Sequence, residues 1–278
     1  MIQCVSLCEI MMSLKADENA IDNEIKQLCK MHGINELARV YIGSNFCPKY
    51  FLYCEGNVVS LIIDWCAKNN KKITLCLPVF SERDLIAGKN RLSKYERWFK
   101  CGIIDEITVN DLGMLAYVAE RYPYININLG RLFNKDTRDQ RYPEFIGKTC
   151  VPDLLTLKNA VAFDYRVHGI EFDSTHATLD LTGTDLQVAV YFPYCYATLG
   201  SICEFASIAK PINKKFRTNA ACSMQCMEKY AKYQTEYSNF SYVKFGRAVY
   251  FKVSGATVKS TGDFRMIYDA IDYFMQKD

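Results

Sequence analysis

Cys47, Cys203, Cys222 and Cys226 are the side chains whose type and setting best suit chemistry. Cys47 ends Val40-Tyr-Ile-Gly-Ser-Asn-Phe-Cys47, a β-rich run that breaks into a Gly-Ser-Asn loop before Pro48. Cys203 closes Tyr196-Ala-Thr-Leu-Gly-Ser-Ile-Cys203, and Cys222-Ser-Met-Gln-Cys226 follows a basic, proline-containing stretch. Four thiolates gathered in one place are the ligand count of an iron–sulfur cluster or of a structural zinc. Zinc sites favour tighter Cys-x-x-Cys knuckles, whereas these spacings are long and uneven, which points to iron–sulfur. Radical-SAM chemistry needs a third cysteine three residues beyond a Cys-x-x-x-Cys pair, but Met227-Glu-Lys229 follows Cys226.

The remaining cysteines read mainly as small core hydrophobes. Thirteen is an odd number in a chain of 278 residues, too large to need disulfide stapling, so a reducing compartment and a cytoplasmic protein are expected. Cys29 and Cys66 lie in helical patterns and Cys76 in a strand-like run. Cys4 and Cys8 fall in a first strand that turns both thiols to one side, and Cys195 could substitute as a ligand. His32, His168 and His176 show no paired spacing. His32 caps a helix end, and His176 alone is placed to move a proton. No Ser-His-Asp or Cys-His arrangement emerges.

These side chains need a frame. Half the residues are hydrophobic and 23% charged, with a formal net charge of +3, which suits one large α/β domain and gives no overall footprint for nucleic acid. No apolar run approaches a bilayer span, and Met1-Ile-Gln-Cys-Val-Ser-Leu-Cys8 reads as a strand instead of a signal peptide. Candidate strands are 3–7, 39–42, 72–77, 106–109, 124–127, 150–151, 169–172 and 187–191. Helices are expected over 58–68, 81–99, 112–121 and 154–162, with Ser81 and Asp111 as caps. Eight strands alternating with helices predict a (β/α)₈ TIM-barrel-like fold, closed or incompletely closed, as one domain over 1–278. The late cysteines occupy a cluster-binding region at about 195–230. A hairpin turning at Ser254-Gly255 and a helix over 264–275 close the chain, at about 242–276. In such a barrel the first strand lies between the second and the eighth, so Cys47 and Cys203 both reach the C-terminal rim, where barrel enzymes keep their chemistry.

Other residues fall on that rim. Asn110 follows the fourth strand beside Asp111, and Asn128, Arg131 and Asn134 follow the fifth, ahead of Lys135, Arg138 and Arg141. Tyr191 ends the last candidate strand. Arg and Asn here suit a small carboxylate through forked hydrogen bonds, so Asn110, Asn128, Arg131, Asn134, Tyr191 and His176 form the candidate substrate set. Tyr230, Tyr233 and Tyr237 share helical spacing and are expected to pack over the barrel.

The strings Val40-Tyr-Ile-Gly-Ser-Asn-Phe-Cys47, Ile107-Thr-Val-Asn-Asp-Leu-Gly113, and Cys203 with Cys222-x-x-x-Cys226 resemble the collagenase-like peptidase family U32. The likeness runs from about residue 35 to about 230 and is nearest to the short members of the oxygen-independent ubiquinone hydroxylation type. It implies a barrel with a 4Fe-4S cluster on Cys47, Cys203, Cys222 and Cys226. It also implies an oxygen-independent hydroxylase, or a component of one, acting on a small molecule with a prephenate-like oxygen donor. A non-catalytic iron–sulfur partner or sensor, heterodimeric with a related U32-like protein, is the alternative. Peptidase activity is the further one, without support from the residues. The family's His-Gly-x-Leu-Pro is replaced here by Tyr191-Phe-Pro-Tyr-Cys195, and its Tyr-Ser-x-Arg by Leu199-Gly-Ser-Ile202.

Overall fold

Runs of β-branched and aromatic residues alternate with amphipathic helices, and in the computed structural model they close into an eight-stranded parallel barrel. The structure describes residues 1–54, 56–134, 148–152, 165–218, 221–234 and 241–277. The strands are β1 (Ile2–Ser6), β2 (Leu37–Gly43), β3 (Lys72–Cys76), β4 (Ile104–Val109), β5 (Asn126–Leu129), β6 (Thr149–Cys150), β7 (Val167–Asp173) and β8 (Thr178–Asp180). They continue with β9 (Gln187–Phe192), β10 (Tyr194–Leu199), β11 (Ala231–Gln234), β12 (Ser241–Phe245), β13 (Ala248–Lys252), β14 (Val258–Lys259) and β15 (Arg265–Tyr268). Around the barrel the order is β1, β15, β9, β7, β5, β4, β3, β2. Closure leaves no open edge in that sheet.

Four expectations are corrected. The run at 150–151 is not a barrel strand: β6 pairs with β8 in a small side sheet that β14 completes. Its place in the barrel is taken by β15, which begins the stretch expected as a helix. Only Ile271–Met275 of that stretch is helical. The late hairpin joins β12 to β13 and turns at Gly246, which adopts a left-handed φ of +56°, instead of at Ser254-Gly255. Tyr233 lies on β11, so the tyrosine spacing there is not helical. The helix expected at 154–162, Lys135, Arg138, Arg141 and Tyr237 lie outside the described residues.

The outer layer holds α1 (Glu18–Met31), α2 (Pro48–Tyr53), α3 (Gly56–Lys68), α4 (Glu82–Ser93), α5 (Glu96–Lys100), α6 (Leu112–Arg121) and α7 (Ile271–Met275). In α1, Ile21, Ile25 and Leu28 fall on one face and are buried, and the Asp17 carboxylate caps the helix by accepting from the Ala20 N–H at 2.9 Å. Asp111 caps α6 in the same way through the Met114 N–H. Among the described residues no helix is long and apolar enough to cross a membrane.

Period-two alternation turns Glu106 and Thr108 on β4, and Glu171 and Asp173 on β7, toward the barrel axis. The Glu106 carboxylate accepts a bidentate pair from Arg265 at 2.7 and 2.8 Å, and further bonds from Thr74 at 3.0 Å and Asn128 at 3.1 Å. Arg39 lies 3.4 Å away. Side chains from four strands therefore meet on the carboxylate of a fifth. Gly43, the last residue of β2, sits at φ +100°, and a Cβ there would lie 2.3 Å from the Cys76 carbonyl oxygen. Gly43→Ala combines that clash with a backbone conformation costly for L residues. It is expected to destabilise by about 2–3 kcal/mol, read as a lowered urea midpoint. An unchanged midpoint would show that β2 and β3 can part there freely.

Candidate metal centre

Three separate stretches of chain bring four cysteines to the C-terminal mouth of the barrel. Cys47 follows the Ser44-Asn45 turn after β2, where the Ser44 hydroxyl accepts from the Cys47 N–H at 3.1 Å, and it immediately precedes α2. Cys203 lies just beyond β10, the strand that leaves the barrel to pair with β13. Its thiol donates to the Gly246 carbonyl at 3.8 Å, in the β12–β13 turn. Cys222 Sγ accepts from the Met224 N–H at 3.4 Å, and Met224 takes a left-handed φ of 56° that starts the short turn carrying Cys226.

Cys47, Cys203, Cys222 and Cys226 line one pocket, together with Lys49, Asp84, Arg217 and Arg247. Among the described residues no three or more His, Cys, Asp or Glu side chains are set to hold a metal ion as they stand. Burial pushes the Cys47 thiol up to about 11 and the Cys226 thiol up to about 12, with the neighbouring cysteines adding to both. Burial raises Cys203 as well. As free groups these three are protonated at neutral pH, so binding a metal must release protons and tightens as pH rises. Around them Lys49 is paired with Asp84 at 2.6 Å, while Arg217 and Arg247 each donate to a backbone carbonyl at 2.8 Å. Of these cations Arg247 pulls the Cys47 thiol down, but burial outweighs it.

A second pocket shares Cys47, Cys226, Gly246 and Arg247 with the first and reaches into the barrel past Glu9, Asn45 and Cys8. Asn45 donates to the Tyr191 hydroxyl at 3.2 Å, while its own Oδ1, buried, has no partner among the described residues. Tyr191 in turn donates to Glu171 at 3.2 Å, and Thr108 donates to the other carboxylate oxygen at 2.5 Å. Cys8 and Cys76 meet below this pocket, in a cluster with Cys4, Tyr41 and Tyr191.

Among the expected substrate residues, the side chains of Asn110, Asn128 and Arg131 serve the barrel itself. Asn110 donates to the Leu77 carbonyl at 2.9 Å and accepts from the Leu132 N–H at 3.1 Å, tying together the ends of three strands. Asn128 belongs to the Glu106 network. Arg131 is fully buried, bonded to Asp173 and to the Tyr194 carbonyl, with the Tyr191 ring 4.0 Å from its guanidinium carbon. Asn134 is buried, its Oδ1 unpartnered among the described residues. His176 is exposed and stacks on Phe251. Neither pocket is lined by any of these six. Cys195 is buried beside Phe251 and Val253, away from the thiol ring.

Lys49, Arg247 and Glu9 are not marked by any pattern in the sequence. Lys49 stands two residues from Cys47, and Arg247 occupies a hairpin turn that could have been placed by its Gly246. Compared with family models, curated proteins and solved structures, the chain has no match.

Proposed function

We propose that the chain holds a 4Fe-4S cluster on Cys47, Cys203, Cys222 and Cys226 and works as a redox protein, an oxygen-independent hydroxylase or a component of one. One observation carries this reading: four cysteines from three distant stretches of the chain line a single pocket at the barrel mouth. Four cysteines are the ligand count of a polynuclear cluster, in which each thiolate serves its own iron. One tetrahedral zinc would draw all four sulfurs to about 2.3 Å from one ion. The backbone N–H groups that reach Cys47, Cys203 and Cys222 supply the hydrogen bonds to sulfur that tune such centres. When bound, a cluster of this kind supplies one-electron transfer. Lys49, Arg217 and Arg247 would offset the charge of the thiolates. The resemblance to family U32 agrees with this assignment.

A second reading, a non-catalytic iron–sulfur partner in a heterodimer, is favoured by a different observation. Asn110, Asn128 and Arg131 are engaged in the barrel's own hydrogen bonds, which leaves them poorly placed to grip a substrate.

Anaerobically purified protein is expected to show a broad visible absorption band, with iron and sulfide each at about four per chain. Cys222→Ala is expected to lose the band and most of the iron. A colourless chain that stays colourless after anaerobic reconstitution, or one that takes up zinc alone, overturns the cluster.

A further inference from the structure

Between Glu204 and Glu228 the chain carries no acidic residue, yet it holds Lys210, Lys214, Lys215 and Arg217. The same stretch exposes large apolar side chains: Ile212 is 88% exposed, Phe216 57% and Ile208 47%. The loop's two ends are tied together, because the Phe216 N–H donates to the Ser207 hydroxyl at 3.0 Å, and a short turn at Ile212–Lys214 forms its tip. Ile208, next to Ser207, and Phe216 therefore leave the surface from neighbouring points. Ser201, Cys203 and Arg217 from this region line the thiol pocket, so the patch borders it directly.

Exposed apolar groups rimmed by charge of one sign mark a protein contact. Three of the apolar groups on this loop and its flank, Ile202, Ile208 and Ile212, are aliphatic, which suits a protein face better than the aromatic platforms that stack RNA bases. Positive charge steers an acidic partner, and small, salt-sensitive contacts are the habit of transient redox encounters.

We infer that the loop around 202–217 is the docking face for a small acidic one-electron carrier protein. The inference rests on the redox reading of the thiol pocket. One electron would leave the carrier's metal centre and arrive at the centre held by the four thiolates, with no bond made or broken.

The test uses the full chain, purified without oxygen and assayed first for iron and sulfide. Its affinity is measured for a plant-type 2Fe-2S ferredoxin, for parvalbumin as an acidic protein without a redox centre, and for a single-stranded RNA. The expected result is ferredoxin binding that weakens at least tenfold between about 20 and about 200 mM salt. It should weaken by a similar factor in Lys214→Glu/Lys215→Glu, and Ile212→Ser should weaken it too, with iron content unchanged in both variants. Parvalbumin binding as tightly as ferredoxin, RNA binding more tightly, or full affinity in the charge-reversed variant would each overturn the inference. A chain without iron and sulfide overturns the cluster instead, while ferredoxin binding still reports on Lys214 and Lys215.

Discussion

Replacing Arg131 by methionine is expected to destabilise the protein by about 3–5 kcal/mol, the cost of breaking a buried ion pair from one side. Among the described residues Arg131 is the largest side chain fully withdrawn from solvent. It donates to Asp173 and, at 2.9 Å, to the Tyr194 carbonyl. The rings of Tyr191, Phe46, Tyr196 and Tyr250 stand 4.0, 5.2, 5.8 and 6.0 Å from its central carbon, a desolvated cage in which cation–π attraction is at its strongest. Methionine fills the volume but leaves the Asp173 carboxylate buried without its arginine, and removes the charge that holds down the Glu9 carboxyl. Urea unfolding at neutral pH measures the loss. Because the cost comes from the uncompensated charge, Arg131→Met/Asp173→Asn should recover about 1–2 kcal/mol of it. A single variant that lost less than about 1 kcal/mol would show that the aromatic cage, and not the ion pair, organises this layer. Phe46 belongs to the cage and precedes Cys47, so the same packing sets where the first thiol stands.

Most of the barrel was legible because seven of its strands are apolar runs bounded by helices with one buried face. The eighth was not. Arg265-Met-Ile-Tyr268 is only four residues long and leads through Asp269-Ala270 into a helix, so its apolar positions merged with the helical period. The two-residue run at Cys150 had the composition of a strand but too few residues to say which sheet it joins. The four cysteines were recognisable by type, and they do line one pocket, but not for the topological reason first expected. Cys203 follows β10, and its barrel neighbour β9 is separated from β2 by β15 and β1. The meeting depends on β10 leaving the barrel to pair with β13, whose turn with β12 delivers Gly246 and Arg247 to the same pocket. The roles of Asn110 and Arg131 were invisible for another reason. A side chain at a rim position suits a ligand and a neighbouring strand equally well until the third dimension supplies a Leu77 carbonyl or an Asp173.

The carboxyls inside the barrel lead to the second large effect. Burial pushes Glu171 up, the hydrogen bonds from Thr108 and Tyr191 pull it back, and it comes to rest at about 7 against an ordinary 4.5. Between those two values the folded chain holds a proton that the unfolded chain releases. Stability therefore falls as pH rises from 4.5 through 7, by about 3 kcal/mol from this group. Glu106 has the opposite sign. Burial disfavours its charge, but the Arg265 bonds and the charges of Arg39 and Arg265 outweigh that and lower it to about 2. Its contribution is complete above 4.5 and is lost as pH falls toward 2, again by about 3 kcal/mol. Glutamine at position 171 reproduces the protonated acid: its oxygen accepts from Thr108 and its amide can donate to Tyr191. Glu171→Gln should therefore match the wild type near pH 4.5 and exceed it by about 3 kcal/mol at pH 7.5, as read from urea midpoints across that range. Glu106→Gln should instead lose its stability above pH 4.5, where the wild type keeps its charged pair with Arg265. Parallel pH profiles for wild type and Glu171→Gln would mean that Glu171 ionises in the fold as it does in water, and that Tyr191 and Thr108 hold a carboxylate. A separation that opens between pH 4.5 and 7 would instead place a neutral, proton-bearing acid beneath Tyr191, one hydrogen bond from Asn45 and the pocket beside the cysteines.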